Sequence, residues 1–542
     1  MKRFLLALYA LAIIPTSGLA GTIQYHTTKV DSDGALVPWY DPNPGIAYDH
    51  CLRLVWDFWN NMNSQNGTKY YLMHQVWKPG AGDSRGLGGD QLCMALSSWN
   101  LLYNYLGEKA ILDNMVLLAD TWLDNGLAPN GKWAGCPFPY NLDTTVAIYD
   151  GDMRGGKGIL QPDKVGSFAF ELTMLYKKTG NVKYLNHAIT MANVLAATMG
   201  KGDGSNSPWP FRVNASTGAK AVNVDASYTT NYTGTLRAWD NLIKLGKGDT
   251  ATYQTARASL STWLKTYPLK TLKWGPFFED VGGYSDTEIN AGTLALYIME
   301  NPGWDPEAKA HVKAIIDWTL KELGNTEYTA YKVIAINEQT AYRVPGNSHT
   351  SRHASVELMY GEAYGDLAYQ AEAIKRLNWA TYMVDVDGKN RYIRDDIWLT
   401  DGYGDYVRHY LRGMAALPSL TPANQNHLLR TSSVVKSVSY GNDSLTYVKF
   451  DTNSTERLRM GLWEPKGIIG GTMKWDATTK VLEVTAISPT VILIRATVGI
   501  LKPKSGLKAR RASPKFSGQT LFGTPPQFLP DGKRVERALP QK

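Results

Sequence analysis

From about residue 46 to residue 418, apolar positions recur at intervals of three and four, so the chain reads as a series of amphipathic helices without a run of alternating strands. The pattern predicts a first helix near 46–62. Helical hairpins follow at 90–106 with 109–125, 165–179 with 182–199, 230–246 with 250–266, 286–300 with 306–323, and 352–364 with 367–384, before a last helix at 404–416. Returns such as Leu106-Gly107-Glu108 and Thr179-Gly180-Asn181 are short enough to force antiparallel pairs. The pairs recur without the fixed period of a solenoid. That predicts a ring closing on itself: a mainly α fold, an (α/α)6 or (α/α)7 toroid spanning 21–420, with the helix near 46–62 completing a pair with the one at 404–416.

After Pro418 the pattern switches to β-branched alternation, as in Ser444-Leu445-Thr446-Tyr447-Val448-Lys449-Phe450, Lys480-Val481-Leu482-Glu483-Val484 and Thr490-Val491-Ile492-Leu493-Ile494. A small antiparallel β domain, sandwich-like, is expected over 425–500. Residues 501–542 hold too few apolar positions to fold and are expected to be a disordered basic tail.

The first residues, Met1-Lys2-Arg3, then an apolar run from Phe4 to Pro15 and the small Gly18 and Ala20, have the zones of a signal peptide over 1–20, which predicts a secreted, extracellular protein. No later window approaches the ~20 uninterrupted apolar residues of a membrane span, so no membrane partner is expected. The net charge of +8 suggests a polyanion partner until it is located. The tail alone carries +8 and Lys2 and Arg3 add two more, leaving the folded body at −2. Nothing global then steers nucleic acid to it, and attraction for an anion must be local. Cys51, Cys93 and Cys136 allow one bridge at most, so burial must supply the stability of what is expected to be a monomer. Sequons at Asn66, Asn214, Asn231, Asn442 and Asn453 would make a glycoprotein in a eukaryotic host.

Chemistry gathers in the long segments that lead into the first helix of each pair. These are 83–91, 161–164, 228–234, 279–286, 347–353 and 401–406, rich in Asp, Gly, Tyr, His and Arg. If helices alternate between inner and outer rings, all six open on one face, where a toroid is expected to bind its ligand. Helix caps account for Asp90, Ser285 and Ser351 but not for the repeated Tyr, His and Arg.

His349, Arg352 and His353 are spaced three and four apart on one helical face, with Glu357 a turn further on. A guanidinium, a cationic imidazole and a helix N-terminus together suit a carboxylate. A zinc site is the rival reading, but Thr350 stands where a zincin motif places glutamate, so no metal or other cofactor is expected. Cleaving a uronate polymer by β-elimination requires a neutralised carboxylate, a base for the C5 proton and an acid for O4, and tyrosine can serve both proton roles if its pKa is lowered. Tyr284 and Tyr403, beside glycines, are the candidates. Asn231 and Asn290 are the amides placed to bond a carboxylate. Arg85, Gln91, Lys164, Tyr232, Glu279, Asp405 and Arg408 are further positions for substrate contact, and Trp133, Tyr140, Trp209, Trp274 and Trp398 could stack on sugar rings.

With Asn290, His349 and Tyr403 in that order on three successive candidate inner helices, the chain resembles the (α/α)-toroid polysaccharide lyases, most of all polysaccharide lyase family 38, over about 40–418. The resemblance implies action on alginate or glucuronan, with a Tyr as base and acid and Asn, His and Arg around the carboxylate. The chain departs from the family by placing Arg352 beside His349 rather than just ahead of the tyrosine, by its second Tyr at 284, and by its β domain. Three other functions fit the same residues. A toroid glycoside hydrolase would use a pair drawn from Glu279, Asp280, Asp286, Asp401 and Asp405. A noncatalytic polysaccharide-binding protein would leave the chain intact, and a uronate epimerase would exchange the C5 proton without cleavage.

Overall fold

The protein is described here by a computed structural model covering residues 21–62, 64–65, 68–72, 76–77, 88–142, 147–222, 227–278, 283–391, 398–399 and 401–495. The expected signal peptide and basic tail lie outside these residues. The ring is built from α1 (Pro44–Asn61), α2 (Gly89–Leu106), α3 (Lys109–Asn125), α4 (Pro162–Thr179), α5 (Val182–Thr198), α6 (Thr233–Leu245), α7 (Thr250–Thr266), α8 (Glu288–Glu300), α9 (Ala308–Leu323), α10 (Asn347–Tyr364), α11 (Gln370–Thr381) and α12 (Asp401–Ala416).

Helices α2, α4, α6, α8, α10 and α12 each pack on the next, and α12 returns to α2, which closes an inner ring of six. The others pack outside, with α1 backing α12 as the sixth pair, so the fold is an (α/α)6 toroid. The division follows from side-chain pattern. Outer helix α9 buries Val312, Ile315, Ile316, Thr319 and Leu323, a single stripe, whereas inner α8 is buried on almost every side. Glycines at the ends of α2, α4, α6 and α10 (Gly107, Gly180, Gly246 and Gly365) take the left-handed conformation, with φ between 61° and 78°, that stops a helix and turns the chain back.

All six inner helices therefore begin at one end of the ring, the mouth. Three of the segments expected to be loops are themselves helical there. Asp163, His349 and Asp405 lie in first or second turns, because Pro162 pre-sets α4 at its N1 position and α10 starts directly after Gly346. The connecting segments carry two-residue β ladders, such as Ile159–Leu160 with Val213–Asn214, that stiffen the rim.

The opposite end is covered by two four-stranded antiparallel sheets. They comprise β1 (Asn426–Thr431), β2 (Val435–Tyr440), β3 (Ser444–Lys449), β4 (Ser454–Met460), β5 (Gly467–Ile469), β6 (Gly471–Asp476), β7 (Val481–Ala486) and β8 (Thr490–Ile494), ordered β1-β4-β7-β6 and β2-β3-β8-β5. Leu428, Leu445, Tyr447, Leu458, Leu482, Val491 and Leu493 fill the space between the sheets, as period-two alternation requires. The sandwich docks on the C-terminal ends of the inner helices. Lys178 Nζ donates to the Val435 carbonyl at 2.7 Å, and Arg430 and Arg457 both grip Glu362.

Cys51, Cys93 and Cys136 are all free and buried. Among the described residues no helix is long and apolar enough to cross a membrane. Trp133, Tyr140, Trp209 and Trp274 are buried to 1% exposure or less, so they pack the core and cannot stack on a sugar. The side chain of Trp398 lies outside the described residues.

Candidate active site

A small cavity at the mouth is lined by Asp90, Phe278, Glu338, His349, Arg352, Asn390, Arg391 and Asp405, drawn from α2, α10, α12 and the rim. Its charged groups form one network. Arg352 is wholly buried and ion-paired to both Glu288 on α8 and Asp405 on α12. Asp405 also accepts from Arg408 at 2.7 Å and lies 2.7 Å from His409 Nε2. His409 is fully enclosed, and burial, reinforced by the positive charges of Arg352, Arg408 and Arg412, holds its pKa well below the usual imidazole range. Burial also lowers Arg352 to about 10, against the pull of Glu288. Room for the Glu288–Arg352 pair is made by Gly292, where a Cβ would stand 2.7 Å from Glu288 Oε1.

His349 sits between two carboxylates, 3.6 Å from Glu338 and 3.9 Å from Glu288. His353 does not join it. Its ring turns to Glu357, 3.4 Å away, which the outer-helix Arg376 holds with two bonds of 2.7 and 2.8 Å. The spacing that suggested one three-residue cluster therefore serves two jobs, because α10 faces its inner neighbours on one side and α11 on the other. Among the described residues no group of three or more His, Cys, Asp or Glu is arranged to hold a metal ion.

Other expected ligand contacts are spent on the fold. The Asn290 amide donates to the carbonyls of Trp274, Gly275 and Pro276 at 3.0–3.3 Å, pinning the segment ahead of α8. Asn231 donates to Asp163 at 2.8 Å. Lys164 donates to Asp163 at 2.9 Å and to the Phe277 carbonyl at 2.7 Å. At 5% exposure Asn231 has no room for a glycan. Tyr232 is fully buried with its hydroxyl on the Trp209 carbonyl, and Gln91 accepts from the Gly88 amide at 2.6 Å. The hydroxyl of Tyr284, 40% exposed at the rim, donates to Asp286 at 2.7 Å; partial burial and that carboxylate raise its pKa, opposite to what a tyrosine base needs. Arg85 and Glu279 lie outside the described residues. Tyr403 lies in the first turn of α12, but its side chain is likewise outside them.

Glu288, Glu338 and His409 were missed by sequence reasoning. The glycine one turn after Glu288 was the available signal, since Gly inside a helix marks a close approach. Asp90, expected to cap a helix, lies instead within the first turn of α2, whose N-cap is Gly88. It is 4% exposed, its Oδ1 has no hydrogen-bond partner, and it lines the mouth cavity.

The ring is shared with solved structures at low sequence identity. Cellobiose 2-epimerase from Spirochaeta thermophila superposes with a TM-score of 0.52 at 12% identity, covering 69% of this chain and 97% of that one. Cellobiose 2-epimerase from Bacillus thermoamylovorans gives 0.50 at 16% identity over 67% and 97%. A D-mannose isomerase gives 0.51 at 9% over 69% and 96%. The likeness is one of fold. No known protein family matches the sequence, and no curated protein matches it.

Proposed function

We propose that the protein is a secreted carbohydrate-active enzyme that cleaves a uronate-containing polysaccharide, glucuronan, alginate or a similar polymer, by β-elimination at the mouth, in the manner of polysaccharide lyase family 38. The observation that carries this reading is the adjacency of α8, α10 and α12, which start side by side at the mouth and bear Asn290, His349 and Tyr403 in their first turns.

In this mechanism the Tyr403 phenolate removes the C5 proton. The C–H electron pair becomes the C4–C5 double bond, the C4–O4 bond breaks, and the same tyrosine returns the proton to O4. His349, when protonated, and the N-terminus of α10 stabilise the charge that develops on the substrate carboxylate. Arg352 is a positioning residue, since Glu288 and Asp405 already take its guanidinium. Asn290 likewise positions segment 274–276. Tyr284, with its raised pKa, is set aside as the base.

A hydrolase is the second reading, favoured by Asp90, a buried carboxylate with an unpartnered oxygen at the cavity. Incubation with glucuronan, alginate, pectic polymers and glycosaminoglycans, followed by ultraviolet absorbance and by new reducing ends, separates the two. A lyase raises both together. Reducing ends without absorbance give the hydrolase, and neither signal with any polymer contradicts both.

A further inference from the structure

Below the mouth the ring is hollow. A cavity of about 1030 Å³ runs from Asp90 and Lys164 to Arg430 and Arg457 of the sandwich. Glu171 lines it from the middle of α4, roughly 12 Å along the helix from Asp163. Arg237 on α6 and Arg408 and Arg412, one turn apart on α12, line it too and lie within electrostatic reach of Glu171.

The three arginines are unevenly paired. Glu300 is shared by Arg237, its direct partner, and Arg412, whose Nε comes no closer than 3.8 Å. Arg408 is held by Asp405, which also serves Arg352 and His409. Glu171 is 6% exposed and makes no hydrogen bond or ion pair among the described residues. Burial pushes its carboxyl up to about 8 and lowers Arg412 to about 9, so near neutral pH the wall offers guanidinium N–H groups, a carboxyl O–H and, in Arg412, a cation no closer than 3.8 Å to its carboxylate. A ligand carrying one carboxylate and several hydroxyls answers all three, and guanidinium forks match carboxylate geometry.

We propose that Arg237, Arg408 and Arg412, with Glu171 beside them, form a deep binding site for the carboxylate of an acidic sugar, below the mouth. The choice of an acidic sugar rests on the proposed function, but the test needs no turnover. Calorimetric titration of the full chain with D-glucuronate is expected to show binding, with D-glucose and sulfate bound at least about tenfold more weakly. Arg412→Gln is expected to weaken glucuronate binding about tenfold or more. Met174→Trp, which narrows the channel without removing a charge, is expected to abolish it in a chain that still melts cooperatively. Tyr284→Phe at the rim, whose hydroxyl bonds Asp286 and shares no partner with these arginines, should leave the affinity within about twofold.

Absence of glucuronate binding, equal binding of glucose or sulfate, wild-type affinity in both channel variants, or loss of binding in Tyr284→Phe would each overturn the proposal. Retained, channel-dependent binding in a protein that forms no unsaturated product would overturn the lyase reading and leave this site standing.

Discussion

Arg352 and Asp405 form an ion pair between neighbouring inner helices, with the guanidinium fully enclosed and Glu288 taking its other side. Removing one member of such a triad strands buried charge. Arg352→Ala should therefore cost about 3–5 kcal/mol of stability in urea unfolding, with activity falling in step with the folded fraction. A variant as stable as wild type yet inactive would place Arg352 on the substrate instead.

Tyr284→Phe removes only a hydroxyl that donates to Asp286 at the rim. Its turnover should stay within about twofold of wild type and its stability within about 1 kcal/mol. A loss of turnover beyond tenfold at unchanged stability would return Tyr284 to the chemistry.

Gly346 precedes α10, and a Cβ there would stand 2.8 Å from His349 Cδ2. Gly346→Ala should push the imidazole aside and lower kcat by roughly 10²-fold, the scale of an ångström misplacement, while the melting temperature moves little. Unchanged kcat would remove His349 from the reaction.

The Glu171 carboxyl, raised by burial from an ordinary 4.5 to about 8, links stability to pH. Between those values the folded chain keeps a proton that the unfolded chain has released. This group's contribution is therefore fully present below about pH 4.5 and is lost as the pH rises through 8. Glu171→Gln has no such proton. Its unfolding free energy should gain on that of wild type from about pH 5 to pH 8, by no more than ~1.4 kcal/mol per pH unit. A difference independent of pH would mean that Glu171 is solvated.

The ring was legible because helical period and short glycine-ended returns are local signals. Gly107 and Gly180 stop helices wherever those helices end up, and the switch to period two after Pro418 announced the sheets. Side-chain assignments were harder, because partners from distant segments decide them. Nothing near Arg352 in sequence foretells Glu288 and Asp405, and nothing near Asn290 foretells three carbonyls at 274–276. His353 shares a helical face with His349 in projection yet belongs to the outer ring through Arg376 and Glu357. The channel was invisible for a further reason: Arg412 and Glu171 read as ordinary helix charges until the ring closes around them.

The most direct test of the central claim is the initial rate of unsaturated-product formation, on whichever polymer is cleaved, by wild type, His349→Gln and Tyr403→Phe, each checked for an unchanged melting temperature. Loss of a proton-transfer group should slow Tyr403→Phe by roughly 10²–10⁴-fold, with His349→Gln slowed by at least about 10²-fold. Wild-type rates in both variants, with double-bond absorbance still accumulating, would contradict the assignment of chemistry to this mouth.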